Sequence, residues 1–165
     1  ALPAPVALSG ALPQEQTFTD REAMLDAIAA WLKGGHVSAK GFGAGIVTRL
    51  ESTQEKLIQG LGARGIPCFP NSSGDWVMPL HTQGFDFHCV TGAHINGLVI
   101  VLDDWLDAQW DASQNEDPAA LRARAQWALQ ALYATITRAE KRVLIVSSNG
   151  LTVDKLREEA HVFQA

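Results

Sequence analysis

In "LYATITRAEKRVLIVSS", residues 132–148, Thr137 and Arg138 stand where a helical pattern gives way to an unbroken apolar run. A cation at a helix end is favoured by the backbone dipole, and Glu140 is close enough in sequence to pair with it. The other chemistry open to a guanidinium held at such a junction is stabilisation of negative charge on oxygen, for which its planar fork of donors is suited. His81, His88 and His94 fall close together, but without helical spacing or a matching cysteine they form no metal-site pattern. Cys68 and Cys89 also lack metal-type spacing and read as small, buried, reduced thiols. "GFGAG" at 41–45 precedes an apolar run and has no lysine. Neither G-x-x-x-x-G-K-[ST] nor G-x-G-x-x-G occurs between strand and helix patterns, so this chain alone lacks the usual cradle for a triphosphate. Aromatic platforms for bases exist in principle at Trp76, Trp105, Trp110 and Trp127. Trp127 keeps core spacing with Leu121 and Leu132. Trp105 and Trp110 lie among the acids of "DDWLDAQWD", which would repel a phosphate backbone and suit packing against a neighbouring element or domain.

The elements that must position these residues are legible as patterns. "TFTDREAMLDAIAAWLKGG" sets Thr19 three residues before Glu22, a capping box, then Met24, Leu25, Ile28, Trp31 and Leu32 on one helical face before Gly34-Gly35. "GAGIVTRL" predicts a strand, and "STQEKLIQGLGARG" a hydroxyl-capped helix with Leu57, Ile58 and Leu61 inward and a glycine stop. Short strands follow at "IPCF" and "WVMPL", separated by the turn residues "PNSSGD". "GLVIVLDD" and "RVLIVSS" read as central strands covered on both faces. Between them a long helix starts at Asp117-Pro118, with proline in its first turn, and a last helix starts near Thr152. Helices alternating with buried strands predict an α/β protein whose largely parallel sheet has helices on both faces. In such sheets ligands sit at the carboxyl ends of strands.

The chain has 165 residues, of which 47% are hydrophobic and 19% charged, enough for one domain with its own core. Residues 1–17, rich in Ala, Pro, Leu and Ser, read as an extended lead-in, and 18–165 as a single domain whose abrupt start is that of a fragment of a larger protein. A net charge of −5 argues against a chain that mainly coats nucleic acid, while leaving room for a few phosphate contacts. No stretch reaches the ~20 apolar residues of a membrane span, and the N-terminus lacks a basic signal-peptide region, so a cytoplasmic protein with no membrane partner is expected.

Two stretches carry a family resemblance. "YATITRAEKRVLIV" is similar, nearly residue for residue, to motif VI of superfamily-one helicases of the UvrD/Rep and RecD-like kind, in which T-R-A ends a helix and a basic-acidic pair leads into a hydrophobic strand. Upstream, "HTQGFDF" resembles the same family's motif V. "AGIVTRLESTQEKLIQGLGARGIPCF" resembles the strand, helix and G-I-P turn that begin the family's second RecA-like domain. The resemblance spans roughly residues 18–150. The arginine-bearing motif expected just before this domain and the first-domain motifs are not in the chain, and "HCVTGAHIN" separates the acid-Phe pair from the next long apolar run.

The resemblance implies a RecA-like fold and one half of an ATP-dependent DNA helicase or translocase. ATP with Mg²⁺ would be bound mainly by a first RecA-like domain carrying the phosphate loop, on the same polypeptide or a partner. Arg138 would reach the γ-phosphate as an arginine finger. Gly84 would let backbone approach the nucleotide, Asp86 would accept from the ribose hydroxyl, Gln83 would couple nucleotide state to the DNA side, and Thr137 would stand beside the nucleotide. His81 and Thr82 would touch the backbone of single-stranded DNA. The chain alone would not turn over ATP. The alternative is a helicase-derived module that has lost catalysis and serves protein interaction or regulation, which the acidic balance and acid-flanked tryptophans favour.

Overall fold

The computed structural model describes residues 13–34, 44–48, 51–70, 76–79, 95–106, 118–137 and 139–161. In chain order these form β1 (Gln14–Thr17), α1 (Arg21–Leu32), β2 (Ala44–Val47), α2 (Glu51–Ala63), β3 (Cys68–Pro70), β4 (Trp76–Pro79), β5 (Ile95–Val101), α3 (Pro118–Ile136), β6 (Ala139–Ser147) and α4 (Val153–Ala160). A 3₁₀ turn, Leu102–Asp104, follows β5. The strands make one sheet in the order β1-β6-β5-β2-β4-β3. β1, β6, β5 and β2 run parallel, and β4 and β3 add an antiparallel border beside β2. This is the α/β architecture with a largely parallel sheet, consistent with a RecA-like fold.

Alternation along the central strands explains why they read as unbroken apolar runs. Leu98 and Ile100 of β5, with Val143 and Ile145 of β6, join a cluster that holds Ala125, Leu132 and Ile136 of α3 and Leu156 of α4. Val99, Val101, Leu144 and Val146 point the other way, against Met24, Leu25 and Ile28 of α1 and Leu57 and Leu61 of α2. Both faces are therefore covered, and neither strand has room for a polar position in its middle.

The helix signals locate the elements, with two local differences. The α1 cap is Asp20 rather than Thr19: Asp20 is extended, and its carboxylate accepts from Ala23 N at 2.7 Å. Ser52 and Thr53 lie inside α2, which starts at Glu51. The end of α2 follows the glycine signal closely. Gly65 takes φ 81°, Ile66 N donates to Leu61 O at 2.9 Å and Gly65 N to Gly62 O at 3.1 Å. That is the 6→1 and 5→2 pair of a Schellman ending, closed by the burial of Ile66 near Leu61. Arg64 then ties α2 to α1, its Nη2 2.6 Å from Glu22 Oε2 and its Nε 2.7 Å from Asp26 Oδ1. Those two carboxylates, Glu22 first, hold the guanidinium pKa above its ordinary value.

The larger differences concern side-chain burial and the first strand. Gln14–Thr17, within the stretch read as a lead-in, is the sheet's edge strand beside β6. Trp127 is not in the core but 39% exposed, because α3 buries the stripe Ala125, Ala128, Leu129, Leu132 and Ile136 and position 127 falls off it. Trp105, expected to pack against a neighbouring element or domain, does pack against a neighbouring element, wholly buried in the cluster it shares with α3 and β5.

Candidate functional site

The described part of the site begins at the end of α3. Thr135 Oγ1 donates to Ala131 O and Thr137 Oγ1 to Ala134 O, each at 2.7 Å, while Thr137 N donates to Tyr133 O at 3.1 Å. Both hydroxyls therefore fold back onto carbonyls of their own helix and close its last turn. Thr137 is exposed, yet Ala139 is completely buried and opens β6 paired with Ile95, the first residue of β5. The chain passes from solvent to core within two residues. Arg138 lies between them, outside the described residues, as do His81, Thr82, Gln83, Gly84 and Asp86. Of the nucleotide- and DNA-site residues that the resemblance implies, Thr137 is thus the one among the described residues, and its hydroxyl has a structural use.

A second feature braces this end from outside. Arg157 of α4 donates from Nε and Nη2 to the hydroxyl of Tyr133, at 3.2 and 2.8 Å, and from Nη1 to Asp154 Oδ1 at 3.1 Å. The bond to Tyr133 is the main reason the Arg157 pKa stands above its ordinary value. α4 is itself fastened: Thr152 caps it through Lys155 N at 3.0 Å, and Glu15 Oε2 of β1 accepts from Val153 N at 2.8 Å. A carboxylate at a helix N-terminus is favoured by the dipole as well as by the bond. The Asp154 and Arg157 spacing is visible in sequence as an i,i+3 pair. The contacts of Arg157 with Tyr133 and of Glu15 with Val153 are not, since 24 and 138 residues separate the partners.

At the opposite, carboxyl end of the parallel strands, a turn ties β5 to β6. Asp103 accepts from Ser148 N at 2.7 Å and also from Ser148 Oγ, and Asn149 Nδ2 donates to Asp103 O at 2.8 Å. Asn149 Oδ1 accepts from Leu151 N at 3.0 Å, and Gly150 takes φ 84° to complete the bend. Among the described residues, the carboxylate of Asp103 faces this turn and would repel a phosphate there. Thr48 at the end of β2 and Ser147 at the end of β6 bury hydroxyl oxygens that find no hydrogen-bond partner among the described residues. The two do not make one site. Thr48 follows the alternation of Ile46 toward α1 and α2, whereas Ser147 follows Ile145 toward α3 and α4, so the sheet separates them.

Cys68 is a free, half-buried thiol that donates to Ile66 O, and burial pushes its pKa up to about 12. A thiol held protonated is a poor nucleophile. Cys89, His88 and His94 lie outside the described residues. Among the described residues no group of three His, Cys, Asp or Glu could hold a metal ion, and no helix is long and apolar enough to cross a membrane. No family model, no curated protein and no solved structure matches this chain.

Proposed function

We propose that this chain is the second RecA-like half of an ATP-dependent DNA helicase or translocase, in which Arg138 reaches ATP and Mg²⁺ bound mainly by a first RecA-like domain. The observation that carries this reading is the pairing of Ile95 with Ala139. The stretch that resembles motif V, residues 81–87, precedes β5 in the chain, and the stretch that resembles motif VI, residues 133–146, runs from the end of α3 through Arg138 into β6. Two segments some fifty residues apart in sequence thus precede or open adjacent parallel strands. Each strand is entered at its amino end. A domain that binds its own ligand at the carboxyl ends of its strands would not use it, and here the carboxyl end of β5 and β6 is closed by Asp103, Ser148 and Asn149. A domain that lends an arginine to a ligand held elsewhere has its amino end free to do so.

The charge argument is the same one that makes arginine fingers effective. Negative charge spreads over the oxygens of the transferred phosphoryl group, and a positioned guanidinium contributes ~10³–10⁵ in rate where this has been measured best. Gln83, Gly84, Asp86 and Thr137 are proposed on the nucleotide side, and His81 and Thr82 on the single-stranded DNA side. In the full-length gene product, Arg138→Ala leaves ATP binding largely intact and removes most hydrolysis; unchanged turnover would sink this function. The chain by itself binds single-stranded DNA weakly, with an affinity that falls as salt rises.

A helicase-derived interaction module is the second reading. The net charge of −5 and the exposed ring of Trp127 favour it. It is distinguished by a full-length product that carries no phosphate loop and hydrolyses no ATP.

A further inference from the structure

We propose that Asn149 is a site of spontaneous deamidation whose rate in the folded protein is set by the contact between Asp103 and Ser148.

The sequence holds two Asn-Gly pairs, Asn96-Gly97 and Asn149-Gly150. An asparagine followed by glycine is the pair most open to this reaction, because no side chain hinders the glycine nitrogen. Local pattern treats the two alike, and the fold separates them. Gly97 lies buried within β5, with Ala44 on one side and Arg142 on the other in the parallel ladder. A backbone held from both sides cannot turn its nitrogen onto the preceding side chain. Asn149 is exposed in the bend after β6, and Gly150 N donates to no acceptor among the described residues.

The bend brings the reacting atoms into one ring. Asn149 Oδ1 accepts from Leu151 N at 3.0 Å, and the loop closed by that bond contains both Asn149 Cγ and Gly150 N. Lys155 Nζ would stand 3.7 Å from a Cβ placed on Gly150, so a cation lies beside the amide that must lose its proton. In the reaction Gly150 N bonds to Asn149 Cγ and gives its proton to water or hydroxide. The Cγ–Nδ2 bond breaks, and Nδ2 leaves as ammonia with a proton from water. Water then opens the cyclic imide at either carbonyl, giving aspartate or isoaspartate. Water is the only co-reactant, and the step needs neither ATP nor a partner.

The other end of the same amide restrains it. Asn149 Nδ2 donates to Asp103 O at 2.8 Å, which fixes the plane of the amide and holds the group that must leave. Residue 103 is kept beside residue 149 by its carboxylate, which accepts from Ser148 N at 2.7 Å and from Ser148 Oγ. Deamidation of the folded protein therefore waits for local opening of this turn. The step is one-way, since neither product carries the Nδ2 donor and the bond to Asp103 O cannot re-form.

The test incubates the chain at mildly alkaline pH, digests it, and follows the peptides that carry Asn96 and Asn149. Each conversion replaces NH by O in the peptide mass, and the aspartate and isoaspartate forms separate by chromatography. In guanidinium chloride both asparagines convert. In the folded protein Asn149 converts about tenfold more slowly than that, and Asn96 more slowly still. Asp103→Ala speeds Asn149 in the folded protein about tenfold, as expected for the loss of bonds to a charged acceptor, and leaves Asn96 unchanged. Asp103→Asn keeps an acceptor for Ser148 N, speeds the reaction less, and serves if Asp103→Ala does not fold. Ile28→Val weakens the core on the opposite face of the sheet and leaves the Asn149 rate as it is. Folded Asn149 converting as fast as in denaturant, or no faster than Asn96, would mean that the fold does not set the rate as described. No change with either Asp103 variant would remove this contact from the restraint, and equal acceleration by Ile28→Val would route the reaction through whole-chain unfolding. Any of these results overturns the proposal.

Discussion

Asp103 and Ser148 end neighbouring parallel strands, and the one carboxylate takes both the amide and the hydroxyl hydrogens of the other residue. This contact ties the carboxyl end of β5 to that of β6. Asp103→Ala leaves the Ser148 amide without its acceptor and lowers stability by about 1–3 kcal/mol. Asp103→Asn costs less, since an amide oxygen still accepts from Ser148 N and its NH₂ can donate to the hydroxyl. Urea unfolding orders the three proteins, and equal losses for Ala and Asn would show that the side-chain oxygens carry nothing.

Two glycines of α2 make opposite predictions. A Cβ on Gly60 would stand 2.5 Å from Leu25 Cδ1, whereas one on Gly62 would meet nothing within 4 Å. Gly62→Ala gains helix propensity and raises stability by about 0.5–1 kcal/mol. Gly60→Ala gains the same propensity but must displace the buried Leu25 side chain, an overpacking cost of about 1–3 kcal/mol, so its net effect is neutral to destabilising. A higher thermal midpoint for Gly60→Ala than for Gly62→Ala would contradict the close crossing of α1 and α2.

The tryptophans divide in the same way. Trp105→Ala empties a fully buried site and costs about 3–5 kcal/mol, with Trp105→Phe as the milder companion variant. Trp127→Ala changes stability by less than about 1 kcal/mol. Acrylamide quenching of the protein falls when Trp127 is replaced and does not fall when Trp105 is; the reverse pattern overturns the assignment.

A pH dependence follows from Cys68. Its folded-state pKa of about 12 lies above the ordinary thiol value, which is about 8.5. Between the two, the unfolded chain loses the proton and the folded chain keeps it. Stability therefore falls as pH rises through about 9, and the loss is complete only beyond the folded value. The gap in unfolding midpoint between the native protein and Cys68→Ala, followed from pH 8 to 11, narrows or reverses with rising pH. Parallel curves would mean that the thiol titrates alike in both states.

What could be read from the sequence was whatever depends on local pattern. Thr152 caps α4, Gly65 ends α2, Pro118 opens α3, and the runs around Leu98 and Val143 are central strands, because capping chemistry and apolar periodicity are properties of neighbours in the chain. Burial of single residues was harder. Trp127 and Leu132 both fit a loose helical spacing, but the stripe that faces the sheet is fixed by how α3 is rotated against α4 and β6, which no local pattern records. Trp105 was read as packing against a neighbouring element or domain, and α3 is that element; its flanking acids describe the turn it sits in and left the depth of its burial unread. In the candidate site, Thr137 was legible as a helix-terminal hydroxyl. The grip of Arg157 on Tyr133 was not, being a contact between two helices that only the folded sheet brings together.

The edge strand has a consequence for synthesis. β1 pairs with β6 in the register Gln14↔Leu144, and Glu15 reaches Val153, so among the described strands the partner of β1 is made about 130 residues after it. During translation Gln14–Thr17 emerges before β6, while β2 to β5 are made in between. Contacts this distant in sequence form late and slowly. A ribosome stalled after α3 would hold a chain with its core strand β5 present and β1 without β6 beside it, and release of residues 139–160 would join β1 to the sheet through β6.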